Sequence, residues 1–380
     1  MKKRIVALMF CTLLIVSISV NSISAVNIKA TNFELDVKSA ILIDANTGTV
    51  LYKQNENERL APASVTKIMT LLLVFEAIEK GTIKYDDILT VSENAASMGG
   101  SQVFLEPGEE MCVDDLLKSV IIASANDAAL TLAEHIGGSE ETFVQMMNSR
   151  AKELGMLLTH FENVTGLDDD VTNHLTCAKD ISLMSRELLK YEKVSEYATI
   201  WMDTIRNGEF GLTNTNKLVR FYNGVTGLKT GYTNEAGYCI SASAKRGNLH
   251  LIAVIMGAET SQIRNAAAAK LLDFGFANYS LYRNDSLSNV IDVYGGVKNQ
   301  TTLQFNRCEL LLNKGEENKI EKEIILNDYL VAPIKKNEKV GKIVYKINDE
   351  IIAESDIIST ETVEKMTFFQ YFVKVLMNLF

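Results

Sequence analysis

Ser64 and Lys67 stand three residues apart in Ala61-Pro62-Ala63-Ser64-Val65-Thr66-Lys67-Ile68-Met69-Thr70, a stretch that continues almost wholly apolar to Gly81. On a helix, residues i and i+3 share a face, so this hydroxyl and this amine can touch. An amine among apolar neighbours gives up its proton readily, because burial disfavours the charged form. A neutral lysine beside a serine can then take the hydroxyl proton and turn the serine into a nucleophile. A helix N-terminus at Ser64 would favour negative charge developing there. Ser-x-x-Lys is a short pattern that also arises by chance. Ser124-Ala125-Asn126 and Lys229-Thr230-Gly231 are two more such fragments; alone, the first reads equally as a helix cap and the second as a strand end. Other chemistries find less support. There is no G-x-S-x-G for a Ser-His-Asp hydrolase and no H-E-x-x-H for zinc. His135, His160, His174 and His250 have no partner in the sequence and read as structural.

The elements around these residues follow from pattern. Pro62 suits a helix start and Gly81 a helix stop, so one buried helix is expected between them. Val37–Asp44 and Thr49–Lys53 read as strands joined by a turn at Asn46-Thr47-Gly48. Helices are expected over Asp114–Ser124, from Ala128 to Gly137, over Glu140–Leu154 and over Cys177–Lys190. Tyr238–Lys245 and Leu249–Gly257 alternate as strands about a tight Gly247-Asn248 turn, and Ala-rich Ser261–Phe276 is helical. Strands at both ends with a helical middle make an α+β domain. After Tyr279 short β-rich runs appear at Ser288–Val293, Thr301–Phe305, Glu323–Ile325 and Lys342–Ile347, which reads as a small all-β domain.

The two ends of the chain read differently. Lys2, Lys3 and Arg4 precede a short apolar run and the small residues Ser22, Ser24 and Ala25, the form of a secretory signal peptide over 1–25. At the other end, 361–380 carries Glu364, Thr367, Gln370, Lys374 and Asn378 on one helical stripe. Phe368, Phe369, Phe372, Val373, Leu376, Leu379 and Phe380 cover the rest. Its apolar part spans roughly 22 Å as a helix, short of the ~30 Å hydrocarbon core, so it should lie in a membrane interface. The expected division is therefore signal peptide 1–25, catalytic domain 26–279, β-rich domain 280–360 and anchor helix 361–380. The chain has 380 residues and a net charge of −10, with no basic run, which argues against nucleic acid as a partner. Cys112, Cys177, Cys239 and Cys308 are widely spaced, so neither a disulfide framework nor a zinc site is expected.

In this order, the three motifs match the serine acyl-enzyme set of β-lactamases and penicillin-binding proteins. The likeness extends through Gly100-Ser101-Gln102-Val103-Phe104-Leu105-Glu106-Pro107-Gly108-Glu109, Ser124-Ala125-Asn126-Asp127-Ala128-Ala129, Asn214-Thr215-Asn216-Lys217-Leu218 and Gly227-Leu228-Lys229-Thr230-Gly231-Tyr232-Thr233. Over nearly its whole length the chain resembles the low-molecular-mass penicillin-binding proteins that are D-alanyl-D-alanine carboxypeptidases, the S11 serine peptidases. The resemblance implies a β-lactamase/DD-peptidase-like catalytic domain, an antiparallel sheet with a helical cluster, followed by the all-β domain and the amphipathic helix. It implies removal of the terminal D-alanine from peptidoglycan stem peptides, covalent binding of β-lactam antibiotics, no cofactor, and a place on the outer face of the cytoplasmic membrane. It gives Ser64 as nucleophile, Lys67 as its base and Ser124 as proton relay to the leaving amine. Asn126 would hold the substrate amide and the Lys67 amine, while Lys229 and Thr230 bind the terminal carboxylate. Gly231 leaves room for substrate backbone, and the N–H groups of Ser64 and Tyr232 form the oxyanion hole. Two positions depart from the family pattern: Cys177 stands where a small residue is expected, and Tyr232 stands where some relatives have histidine. A class A β-lactamase would also need a deacylating glutamate, and Phe161–Asp170 offers Glu162 without the accompanying pattern.

Overall fold

The structure is a computed structural model that describes residues 33–168, 171–284 and 287–377. The expected signal peptide, Asp169 and Asp170, and Asn378, Leu379 and Phe380 of the tail lie outside the described residues. The chain divides into two compact units, one formed by Val26–Arg283 with Glu309–Asn318, the other holding Asn284–Cys308 and Lys319–Phe380.

In the first unit, β1 (Ser39–Asp44), β2 (Val50–Gln54), β3 (Val225–Thr233), β4 (Gly237–Arg246) and β5 (Leu249–Ala258) form one sheet in the order β2-β1-β5-β4-β3. Every neighbouring pair is antiparallel. All six residues of β1 are buried. The period of two explains how: Ile41 and Ile43 enter one apolar core, Ala40 and Leu42 the other. On β5, Ile252, Val254 and Met256 join Ile41 and Ile43 in the first layer, and Leu251, Ala253 and Ile255 join Ala40 and Leu42 in the second. The first layer is the helical cluster of α1 (Lys67–Glu79), α2 (Val113–Ile122), α3 (Asn126–Gly137), α4 (Glu140–Glu153) and α5 (Ala178–Leu188). The second is α6 (Ser261–Asn278), capped at its start by the Thr260 hydroxyl. Gly247, at φ +60°, makes the two-residue turn that pairs Arg246 with Leu249. Helix α1 runs through the middle and is buried without a break from Lys67 to Phe75.

The helix expected to begin at Pro62 begins differently. Ala63–Thr66 is a 3-10 turn, with α-helix only from Lys67. Ala63 sits at φ +48°, which no α-helix tolerates, so the chain enters α1 through a tighter turn. Ser124, at φ +66°, makes the break between α2 and α3.

The second unit is an open sheet of β6 (Leu287–Tyr294), β7 (Gln300–Phe305), β8 (Glu321–Leu326), β9 (Leu330–Val331), β10 (Lys339–Ile347) and β11 (Glu350–Ser359), ordered β8-β10-β11-β7-β6-β9. The sequence pattern showed neither β11 nor the ribbon of Tyr279–Asn284 with Cys308–Asn313. β11 was obscured by Glu354 and Asp356. These acids face outward and pair with Lys342 at 2.7 Å and Lys339 at 2.5 Å on β10. Helix α7 (Phe368–Met377) closes the described chain and buries none of its residues. The fold class expected from the sequence, a DD-peptidase-like α+β domain followed by an all-β domain, is the one observed.

Candidate active site

The 3-10 turn and the first residue of α1 place Lys67 Nζ 2.9 Å from Ser64 Oγ. The amine also donates to the Thr165 carbonyl at 2.8 Å. Lys67 is fully buried. Burial holds its pKa well below the usual lysine value, and the nearby charge of Lys229 adds to this against an opposing pull from Asp127. The amine is therefore prepared to accept a proton, and Ser64 lies within its reach.

On β3, Lys229 is also buried and donates to Ser124 Oγ at 2.7 Å. Burial, then the charge of Arg264, brings its pKa down to about 7. The left-handed backbone at Ser124 turns that hydroxyl onto the strand. Thr230 Oγ1 donates to Thr215 Oγ1 at 2.8 Å. Gly231 packs against the 63–66 turn. A Cβ built there would lie 2.8 Å from the Pro62 carbonyl oxygen and 3.0 Å from the Ser64 nitrogen. Backbone of β3 thus runs directly beside the Ser64 amide, where only hydrogen fits. Tyr232 is half exposed, and its ring packs on Tyr238 at 4.3 Å between centroids.

Asn126 opens α3. Its Nδ2 donates to the Gly99 carbonyl at 2.7 Å, while its Oδ1 is buried without a partner. An orphaned buried acceptor is costly and fits a place where an N–H from outside completes the bond. Among the described residues, the partners of Lys67 are Ser64 and Thr165, so the expected bond from Asn126 to this amine is not present.

Several contributors escaped sequence reasoning. The Thr165 carbonyl is backbone and carries no side-chain signature. Arg264 is buried on α6, its guanidinium over the Tyr238 ring at 5.8 Å, and it adds a second cation near Lys229. Asp127, in the same polar knot as Asn126, accepts from the backbone N–H groups of Val103, Leu105 and Ala128 at 2.9–3.2 Å. Arg206 binds Glu109 at 2.7 Å and the Val103 carbonyl at 2.9 Å. Asp127 and Arg206 together fix segment 99–109 beside the site. Glu162 turns its carboxylate to the N–H groups of Thr172 and Asn173 at 3.0 and 2.9 Å, which commits it to that turn. Among the described residues, Cys112, Cys177 and Cys239 are free thiols. Among the described residues no group of His, Cys, Asp or Glu is arranged to hold a metal ion.

A serine hydroxyl on a buried lysine, opposed by a Lys–Ser pair at a strand edge, on a five-stranded antiparallel sheet with a helical cluster, defines a serine acyl-transfer enzyme. The chain belongs to the D-alanyl-D-alanine carboxypeptidase family of S11 peptidases, whose model matches residues 25–260. Residues 276–365 match the C-terminal domain of penicillin-binding protein 5. The chain is 47% identical over 344 residues to the D-alanyl-D-alanine carboxypeptidase DacF of Bacillus subtilis (strain 168), covering 88% of each chain. Among solved structures it is similar to penicillin binding protein 5 from Haemophilus influenzae, at 31% identity and a TM-score of 0.73, covering 89% of this chain and all of that one. It is also similar to penicillin-binding protein D2 from Listeria monocytogenes in a cefotaxime-bound form, at 33% identity and a TM-score of 0.60, over 65% of this chain and all of the other.

Proposed function

We propose that this chain is a serine-type D-alanyl-D-alanine carboxypeptidase, EC 3.4.16.4, that removes the terminal D-alanine of peptidoglycan stem peptides through an acyl-enzyme on Ser64. The observation that carries this reading is the 2.9 Å contact between Ser64 Oγ and a buried amine whose pKa is held far down. Neutral Lys67 takes the Ser64 proton as Oγ attacks the carbonyl carbon of the penultimate D-alanine. Negative charge on the carbonyl oxygen is met by the N–H groups of Ser64 and Tyr232, on either side of Gly231. The orphaned Asn126 Oδ1 receives the substrate amide N–H. Lys229 and Thr230, with Arg264 behind, take the terminal carboxylate. The C–N bond breaks as Ser124 hands its proton to the leaving amine and takes in its place the proton held on Lys67, free D-alanine departs, and water then hydrolyses the ester to release the shortened peptide and restore Ser64. A β-lactam enters the same steps, but its amine stays tethered and the ester persists.

The rival readings are a β-lactamase and a silent relic. Glu162 is occupied by a backbone turn, so it does not supply a deacylating base, and the Ser–Lys pair stands intact. Export by the N-terminal segment and peripheral attachment through α7 would put the site on the outer face of the cytoplasmic membrane, where its substrate lies. In support, Phe368, Phe369, Tyr371 and Phe372 are all exposed on α7, and no helix among the described residues is long and apolar enough to cross a membrane. The test is a brief exposure of the protein to penicillin, followed by intact mass and peptide mapping, then assay of D-alanine release. A lasting adduct on Ser64 with D-alanine release is expected. Rapid penicillin turnover with unmodified protein would make it a β-lactamase, and neither adduct nor turnover would make it a relic.

A further inference from the structure

The Lys67 amine ends a flexible four-carbon stem, and two acceptors hold it: the nucleophile and the Thr165 carbonyl. What holds Thr165 therefore matters to the base. Its loop is braced from within by Asn163, whose Oδ1 accepts from Thr165 N at 3.2 Å and Gly166 N at 2.7 Å, and whose Nδ2 donates to Leu167 O at 2.7 Å. The braced loop lies hard on the catalytic turn. A Cβ on Gly166 would fall 1.8 Å from the Ala63 carbonyl oxygen. Thr70 Oγ1 on α1 donates to Val164 O at 2.7 Å.

The remaining tie is a buried imidazole. His174 Nδ1 lies 3.0 Å from the N–H nitrogen of Glu162 and 3.4 Å from that of Asn163. Both of those groups can only donate, so Nδ1 accepts and the ring proton is on Nε2. Nε2–H then donates to Thr66 Oγ1 at 2.8 Å, on the residue that precedes Lys67. One ring thus joins the start of the Thr165 loop to the start of α1.

We infer that His174 is a positioning residue for the general base: through the 162–167 loop it sets where the Thr165 carbonyl holds the Lys67 amine. The inference rests on the acyl-enzyme reading of Ser64. The charged groups facing the ring are Glu162, which favours the imidazolium, and His160, which opposes it. Asp168 and Glu235 line the same small cavity. Burial outweighs them and brings the pKa of the ring down to about 4, so it stays neutral and can accept at working pH. A protonated ring would set an N–H against two N–H donors and release the loop.

Two conservative variants divide the ring. Asparagine places an acceptor where Nδ1 stood, so H174N keeps the bond to the loop. Glutamine reaches the Nε2 position, so H174Q keeps only the bond to Thr66. Acylation by penicillin should slow by ~10- to 100-fold in H174Q and H174A, and H174N should stay within about threefold of wild type. In the two slowed variants the acid limb of the acylation rate should also move to lower pH, because the Lys67 ammonium has lost a carbonyl acceptor. Melting temperatures are recorded for all three. Acylation within about threefold of wild type in every variant, or equal slowing of all three with an unmoved acid limb, would make His174 merely structural and overturn the inference. Wild-type protein that forms no Ser64 adduct would overturn the acyl-enzyme reading itself, a result seen before any variant is made.

Discussion

Gly231→Ala is the sharpest test of how the sheet and the nucleophile fit together. Gly231 does not need a left-handed backbone, so the effect of a methyl group is steric. The added carbon would lie 2.8 Å from Pro62 O, 3.0 Å from Ala63 Cβ and 3.0 Å from Ser64 N, where ordinary contact begins at 3.4 Å. Two of these neighbours are backbone and cannot swing aside, so β3 and the 63–66 turn must part by roughly 0.6 Å, an overpacking that costs about 1–3 kcal/mol of stability. The parting separates the Ser64 N–H from the Tyr232 N–H, the two donors proposed for the oxyanion. Losing one such donor is worth about 2.7–4 kcal/mol, and at about 1.4 kcal/mol per decade acylation should slow by ~10²–10³-fold. The assay is the rate of penicilloyl adduct formation on Ser64, followed by mass in quenched samples, beside a thermal melt showing a folded protein. A folded variant that acylates within about fivefold of wild type would refute the reasoning, because the strand edge would then not be half of the oxyanion hole.

Lys67→Arg puts a cation that cannot deprotonate in place of the neutral amine, so adduct formation should fall on the order of 10²–10⁴-fold; retention of a tenth of the wild-type rate would remove Lys67 as the base. Lys229 should make carboxylate binding depend on pH. Its pKa is lowered to about 7 in the free protein, so it is charged below that and loses its charge above it. In an S64A protein, the Kd for diacetyl-L-lysyl-D-alanyl-D-alanine by calorimetry should rise by up to tenfold per unit above about pH 7, with proton uptake on binding; a flat Kd from pH 6 to 9 would deny Lys229 that role. For α7, Phe369→Glu with Phe372→Glu removes two exposed rings, each worth roughly 1.5–3 kcal/mol when buried, so binding to phosphatidylcholine vesicles should fall by ~10²-fold or more in sedimentation. Unchanged sedimentation would assign α7 another use.

Much of this protein is legible in its sequence. Local patterns carry local structure: the apolar run behind Ser64 becomes the buried helix, and the Gly247-Asn248 turn joins two alternating strands. β11 was hidden because its outward acids look like loop until their lysine partners on β10 are in place. The type and spacing of Ser64 and Lys67 were enough to suggest a nucleophile and its base, since three residues of helix bring two side chains together whatever surrounds them.

What the tertiary structure alone decided is everything that depends on groups distant in the chain or without side-chain identity. The second acceptor for Lys67 is a backbone carbonyl 98 residues away, and its loop is tied by a histidine that the sequence left without a partner. Lys229 meets Ser124 across 105 residues. Burial, and after it the charge of Arg264 on a helix that the sequence marked only as Ala-rich, lowers the pKa of Lys229. Nor could Asn126 be read correctly at every atom: its side chain turns to Gly99 and leaves the Lys67 amine to Thr165. Periodicity and spacing report on neighbours along one element. Burial, the charge at an amine and the fit of a strand edge against a turn arise only when separate elements pack, and those are the quantities on which the proposed role of Ser64 rests.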